Sequence, residues 1–319
     1  MEKEIPFDFP PHINVESKSC PLGCPPDDQP VVSARDRINH LPGTWQVVQC
    51  RHCGLLRTNP RPDPESMAFF YPEYYSPYQD TIIQKRAIRE SRLKKMVHIL
   101  GNTTRLPNIP PGRLLEIGCA SGAFLDKMAA NGWQTEGLER SESASAQARA
   151  MGYTVHTGSL ENAPDREARY DLIVGWMVLE HLHEPIRVLE KLHHWAKPSG
   201  YLVLSVPNVQ SFEFKLFRDN WFALQLPNHL FHFTPDTLNK VLARGGWRLT
   251  KVMHQRLLSN LIASTGFKWQ SSHLFPGIAD RLVDFPRRPG RMHHLLFPLA
   301  FLLSLFGQTG RMTVWAIKD

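Results

Sequence analysis

Residues 113–128 read RLLEIGCASGAFLDKM. Leu114, Leu115 and Ile117 form a short apolar run bounded by Pro111-Gly112 and Gly118. Such a run predicts a buried strand of a parallel sheet. The spacing then predicts a helix over 121–130. Gly118 and Gly122 flank Cys119, Ala120 and Ser121 in the turn between them. Glycines at a strand-to-helix turn let the backbone bend sharply, and are expected to let a ligand lie against bare N–H groups. The dinucleotide fingerprint wants glycine at its first, third and sixth positions. Here those positions hold Gly118, Ala120 and Ala123. A nicotinamide-dependent oxidoreductase is therefore the least favoured reading.

An acid two positions before Gly118 and a glycine four after it fit another pattern: Glu116, Gly118, Gly122. The stretch resembles the motif of class I S-adenosylmethionine (SAM)-dependent methyltransferases. The resemblance implies a turn at 118–122 that binds SAM through Gly118, Cys119, Ala120, Ser121 and Gly122. It also implies that the Glu116 carboxylate holds the cationic amino-acid end of SAM. Residues 133–139 read as a second strand. It ends in Glu139, close to the ~20-residue spacing from Gly118 at which a carboxylate reaches a ribose diol. Glu139 is expected to accept hydrogen bonds from the ribose hydroxyls, with Arg140 beside it. Ser141 is placed to cap the next helix. Residues 153–156 read as strand three. By resemblance, Ser159 and Leu160 then lie beside the adenine. The family often has an acid where Ser159 stands, which leaves Leu160 to pack on the ring.

YDLIVGWMVLEHLHEP, residues 170–185, is the second signal. Residues 171–174 read as strand four and 175–179 as its exit. Ligands of open α/β sheets bind beyond the carboxyl ends of the strands, at the switch point. That places Trp176 and Met177 near the cofactor, and Glu180, His181 and His183 near the reacting edge. The segment resembles a signature of many small-molecule methyltransferases, including the ubiquinone O-methyltransferases. Some of these hold a divalent metal here. Their first acid aligns with Met177, so no such metal is expected. Residues 201–206 read as strand five. FALQLPNHLFHFTPDTLNKVLARGGWRL resembles the family's substrate-loop segment, with Thr234-Pro235 opening a helix and Gly245-Gly246 ending it. His229 and His232 precede that helix and are expected to face the pocket. His181, His229 and His232 are the candidate general bases, since an imidazole of pKa ~6.5 takes a proton at neutral pH. The alternative is that they only pack or orient the loop. Residues 247–253 read as strand six, and the final RMTVWAIK as an antiparallel edge strand.

Ahead of this core stand Cys20-x3-Cys24 and Cys50-x2-Cys53. Each pair can put two thiolates on one metal, and about 25 intervening residues suit a ribbon closing a tetrahedral zinc site. Four sulfur ligands leave no open position, so the zinc is read as structural. The fifth cysteine lies in the Gly-rich turn, which is not a secreted disulfide layout. Residues 62–80 are rich in Phe and Tyr, read as packing between modules or as a lid. A cysteine ribbon, YPEYYSPY and then the Gly-rich turn resemble a bacterial methyltransferase subgroup with an N-terminal zinc-binding module, a layout shared by sugar C-methyltransferases. Residues 81–100 carry Lys85, Arg86, Arg89, Arg92, Lys94 and Lys95 among apolar residues at helical spacing, a basic amphipathic helix. Residues 255–309 form an insertion holding Arg287, Arg288, Arg291 and the run LLFPLAFLLSLF over 295–306. The run is too short to span a bilayer. It is read first as a buried helix, and otherwise as an interfacial membrane anchor or a dimer face.

The resulting fold class is α/β: a Rossmann-like seven-stranded SAM methyltransferase sheet, an N-terminal zinc-ribbon-like module and a helical insertion before the last strand. The domains are 1–80 (arm and ribbon), 81–110 (basic linker helix) and 111–319 (methyltransferase, with 255–309 inserted). The net charge of +7 suits an anionic partner without choosing one. No specific nucleic-acid partner is expected, because the ribbon lacks a dense basic-aromatic face. The acidic, proline-rich start and the lack of a spanning run lead to the expectation of a cytoplasmic protein, with peripheral membrane contact through 287–306. The expected activity is methyl transfer from SAM to a small-molecule acceptor, first a hydroxyl of a sugar or lipid-linked intermediate. A nucleotide-sugar C-methyltransferase and a non-catalytic SAM-binding module are the alternatives.

Overall fold

The computed structural model describes residues 13–71, 106–287 and 295–319. The basic helix expected over 81–100 lies outside the described residues, as do 72–80 of the aromatic segment. The chain divides into two compact units.

One unit carries the seven-stranded sheet. Its strands are β6 (Arg113–Ile117), β7 (Gln134–Glu139), β8 (Thr154–Thr157), β9 (Tyr170–Trp176), β10 (Ala196–Pro207), β12 (Arg248–His254) and β13 (Arg311–Ile317). The lateral order is β12-β13-β10-β9-β6-β7-β8. The strands from β8 to β10 pair in parallel. β13 runs antiparallel to β10, bonding Ser199 N to Lys318 O at one end and Asn208 N to Gly310 O at the other. The last strand was expected at the sheet edge. It lies one strand in, with β12 outside it, because β12 and β13 pair as neighbours across the insertion. This order departs from the dinucleotide order 3-2-1-4-5-6 by an antiparallel strand between the fifth and sixth.

Helices α1 (Ala123–Ala129), α2 (Glu142–Ala150) and α3 (Pro185–Trp195) connect these strands. Ser141 caps α2, accepting from the Ala144 N–H at 3.3 Å. Leu114, Leu125, Leu172, Val174 and Val203 are buried together in the core. Gly122 fixes how closely α1 and α2 approach. Its φ is +85°, and an added Cβ would stand 3.0 Å from the Ala148 Cβ. Gly122→Ala is therefore expected to destabilise the fold by about 2–3 kcal/mol, from left-handed strain plus overpacking. A lower midpoint in thermal unfolding is the check.

The other unit is built on a second sheet. β2 (Asp28–Arg35), β3 (Thr44–Cys50) and β4 (Leu56–Thr58) form an antiparallel meander. β1 (Val15–Glu16) pairs with β5 (Arg61–Pro62). Trp45, buried completely, meets Phe70 edge-on at 5.4 Å. Arg57 is buried and grips Asp28 with both terminal nitrogens. The expected boundary at residue 80 does not close this module. β11 (Phe231–His232) joins β4 as its fourth strand. The unit also includes α4 (Phe212–Phe217) and the insertion helices α6 (Ser259–Ser271), α7 (Pro276–Val283) and α8 (Phe297–Leu305). α5 (Pro235–Arg244) opens in this unit and continues into the other. The run in α8 was read first as a buried helix. Of its residues only Ala300 is buried, and Leu299, Phe301, Leu302 and Leu305 are exposed. No helix among the described residues is long and apolar enough to cross a membrane.

Candidate functional site

The lateral order reverses between β6 and β9, so the switch point lies beyond the carboxyl ends of these two strands. β6 ends at Ile117 and β9 at Trp176, and their side-by-side pairing sets the turn after β6 beside the exit of β9. Gly118 has φ +67°, and an added Cβ would come within 2.7 Å of the Val178 side chain that follows β9. Ala120 and Met177 also take positive φ, at 45° and 59°. Backbone held in the left-handed region without glycine costs energy and clusters at functional sites.

Gly118, Cys119, Ala120 and Gly122 have their N–H groups bonded within the protein. Gly118 N and Cys119 N both donate to Leu138 O, and Gly122 N donates to Cys119 O. Ala120 N donates to Glu139 Oε2 at 2.9 Å. A pyrophosphate at a helix N-terminus is bound by free N–H groups, and these four are not available to it.

Glu116 and Glu139 stand on the adjacent strands β6 and β7, both buried. Glu139 is held by two backbone donors, Ala120 N and Ser141 N. Glu116 Oε2 is buried with no hydrogen-bond partner among the described residues. Burial, reinforced by the charge of Glu139, pushes the Glu116 carboxyl well above the usual range. A buried carboxylate in that state calls for a cation.

The remaining expected cofactor residues fall into two groups. Trp176 is half-buried, its indole N–H is buried without a partner among the described residues, and its ring meets Phe124 edge-on at 5.2 Å. Leu160 is buried after β8, while Ser159 Oγ accepts from Asn162 N. Arg140 is exposed. Cys119 turns its side chain into the core, where burial raises its thiol pKa. Only its backbone belongs to the turn. Phe124 and Lys191 were not singled out in the sequence. Lys191 Nζ donates to the carbonyls of Leu160, Glu161 and Ala163, fixing the loop after β8. Nothing in the local pattern marks a lysine on a helix as the anchor of a distant loop.

His181 is half-buried at the end of the 3-10 turn Leu179–His181, which follows β9. His229 and His232 lie in the second unit, both buried. His229 Nδ1 lies 2.9 Å from the Ala223 carbonyl. A carbonyl only accepts, so Nδ1 carries a proton and donates it there. Thr58 donates its hydroxyl to the His229 carbonyl at 2.7 Å and sits 3.3 Å from His232 Nε2. His232 was expected to face a pocket. It is instead a strand residue of the small sheet, and burial pushes its pKa down to about 3. It stays neutral.

In the same unit Cys20, Cys24, Cys50 and Cys53 converge, their four sulfurs within 4.8 Å of one another. Cys20 and Cys53 sulfurs are 3.5 Å apart. Tetrahedral thiolates at a Zn–S distance of ~2.3 Å would stand about 3.8 Å apart. The donor set fits a four-sulfur zinc site. His40 and His52 are outside the cluster.

The sheet order, the glycine turn and the paired acids define the class I SAM-dependent methyltransferases. The residues fit SAM: the buried Glu116 oxygen suits its ammonium, and the Glu139 carboxylate suits its ribose hydroxyls. A family model described as "Methyltransferase domain" matches residues 86–252. That is just over half of the chain, and the chain belongs to this family. It is similar to a ubiquinone biosynthesis O-methyltransferase of Cereibacter sphaeroides, 27% identical over 42% of this chain and 59% of that protein. The protein of the same name from Paraburkholderia phymatum is 31% identical over 36% of this chain and 53% of its own length. The chain thus spans about half the length of the curated relatives it matches. A solved SAM-dependent methyltransferase of Mesorhizobium loti aligns at TM-score 0.44 and 18% identity, over 67% of this chain and 94% of that one.

Proposed function

We propose that the chain transfers a methyl group from SAM to an oxygen of a small molecule, a hydroxyl of a sugar or lipid-linked intermediate. The observation that carries SAM use is the buried, partnerless Glu116 oxygen two positions before Gly118. The relatives' shared name, ubiquinone biosynthesis O-methyltransferase, supports an oxygen acceptor of lipophilic character. Bound SAM supplies an electrophilic methyl on a sulfonium. Glu116 neutralises the cationic end, and Glu139 has lone pairs left for hydroxyl donors beside its two backbone bonds. The half-buried Trp176 ring and the buried Leu160 exclude water from the apolar parts of the ligand. Methyl transfer to a hydroxyl also needs its proton removed, and His181, just past β9 in the same unit, is assigned that task. The four-cysteine cluster is read as a structural zinc site in the other unit.

Transfer of label from methyl-tritiated SAM to a panel of phenols, catechols and sugars tests this reading. Label is expected on a hydroxyl oxygen. His181→Ala is expected to cut turnover by about 10²–10⁴-fold while SAM affinity holds. Label on carbon would overturn the oxygen assignment, and undiminished turnover in His181→Ala would remove that residue as the base.

A further inference from the structure

We propose that the exposed face of α8 docks the chain on an anionic phospholipid surface. Leu295 is 78% exposed, Leu302 52%, Leu305 62% and Phe306 71%. Leu299 and Phe301 are also among the exposed large apolar residues. At ~100° per residue these side chains fall on one arc of roughly 160°. The opposite side, centred on buried Ala300, faces the unit's own residues. An ordinary surface helix turns its apolar stripe inward and its charges outward. This one does the reverse: residues 295–306 contain no charged residue at all.

Charge selects the occupant. The segment 284–294 leading into the helix carries Arg287, Arg288 and Arg291 against the single acid Asp284, with His293 and His294 beside them. Arg287 reaches Asp284 at 3.3 Å, but both side chains are more than half exposed, so the pair is weak and screened. Arg256 lays its guanidinium 4.5 Å over the Phe301 ring at the base of the helix. An apolar arc with Arg256 on its Phe301 ring and the exposed Arg287 preceding it in the chain matches an interface where acyl chains lie under phosphate headgroups. A second copy fits less well. A two-fold interface brings the same patch from both partners, so Arg256 beside Phe301 would approach its own copy. At ~1.5 Å per residue the nine residues of α8 span about 14 Å, against a hydrocarbon core of ~30 Å. The helix therefore lies in the interface plane.

Co-sedimentation of the full chain with vesicles is the test, read without SAM or acceptor so that its outcome is independent of the methyl-transfer reading. Vesicles of phosphatidylcholine mixed with phosphatidylglycerol are expected to bind it, and pure phosphatidylcholine at least about tenfold less. Binding is expected to weaken as salt is raised. The variant Leu299→Ser/Leu302→Ser/Leu305→Ser is expected to lose binding by more than about tenfold. These side chains are exposed, so its melting temperature should match the parent's. Arg287→Glu is a second variant, expected to weaken only the phosphatidylglycerol-dependent part. Equal pelleting with neutral vesicles, or none with either, overturns the proposal. So does a dimer in light scattering that the triple variant converts to monomer, which would give the face to a second copy.

Discussion

Glu116→Gln is expected to raise the melting temperature of the ligand-free protein and to weaken its binding of SAM by about a hundredfold. The opposite signs follow from one fact. Glu116 is 3% exposed, and one of its oxygens has no partner among the described residues. Without a cation the buried charge is a cost, which glutamine removes at nearly the same volume. With SAM bound, the carboxylate has the proposed role of partner to the ammonium. The pH dependence has a defined sign. The folded carboxyl titrates well above its unfolded value of ~4.3. Its protonated form is the favoured one in the fold, so this group's contribution to stability is full below the unfolded value. It is lost as pH rises toward the folded value. SAM needs the ionised form, so affinity should rise with pH through the same window and level off above the folded pKa. In Glu116→Gln both trends should vanish. Calorimetry for melting and titration of SAM at several pH values are the measurements. A lower melting temperature, or unchanged SAM affinity, would take Glu116 out of the site.

The second large effect is expected at the cysteine cluster. With the proposed zinc on this cluster, Cys50→Ser should release the metal and lower the melting temperature of the protein by about 10 °C or more. Structural zinc contributes ~10–16 kcal/mol in zinc-finger peptides, and a few kcal/mol already moves a domain of this size by that much. Cys50 is buried where β3 ends, and its carbonyl accepts from Gly54 N to close the knuckle. The small sheet has its own core around Trp45 and Phe70, so it should loosen rather than unfold outright. Metal analysis on both proteins checks this. A wild-type chain purified without zinc, or equal zinc in the variant, would refute the site.

The sequence is informative where a local pattern and the fold agree. The β6 turn and the cap at Ser141 follow from apolar spacing and capping chemistry alone. Glu116 and Glu139 were legible because their distances from Gly118 are fixed by one strand and one crossover. Three features were not legible, each for a physical reason. β11 has only two residues and joins a strand more than a hundred positions earlier. Nothing periodic can signal it. The N–H groups of Gly118, Cys119 and Ala120 are taken by Leu138 and Glu139, contacts that depend on how two parallel strands stand side by side. The apolar run of α8 has the hydropathy of a buried helix, and only its setting in the fold turns Leu302 and Leu305 outward. His232 is a related case. Its position before α5 suggested a base, but the strand it occupies holds it neutral.

Isothermal titration of SAM into the full chain, with NADH titrated in parallel, is the measurement to make first. One SAM site per chain of about micromolar affinity, with no heat from NADH, is expected from the Glu116 and Glu139 pair and from a turn with Ala120 and Ala123 where the dinucleotide fingerprint has glycine. NADH binding in place of SAM would contradict the assignment of this pocket. The absence of any SAM binding would return the sheet to a fold without its cofactor.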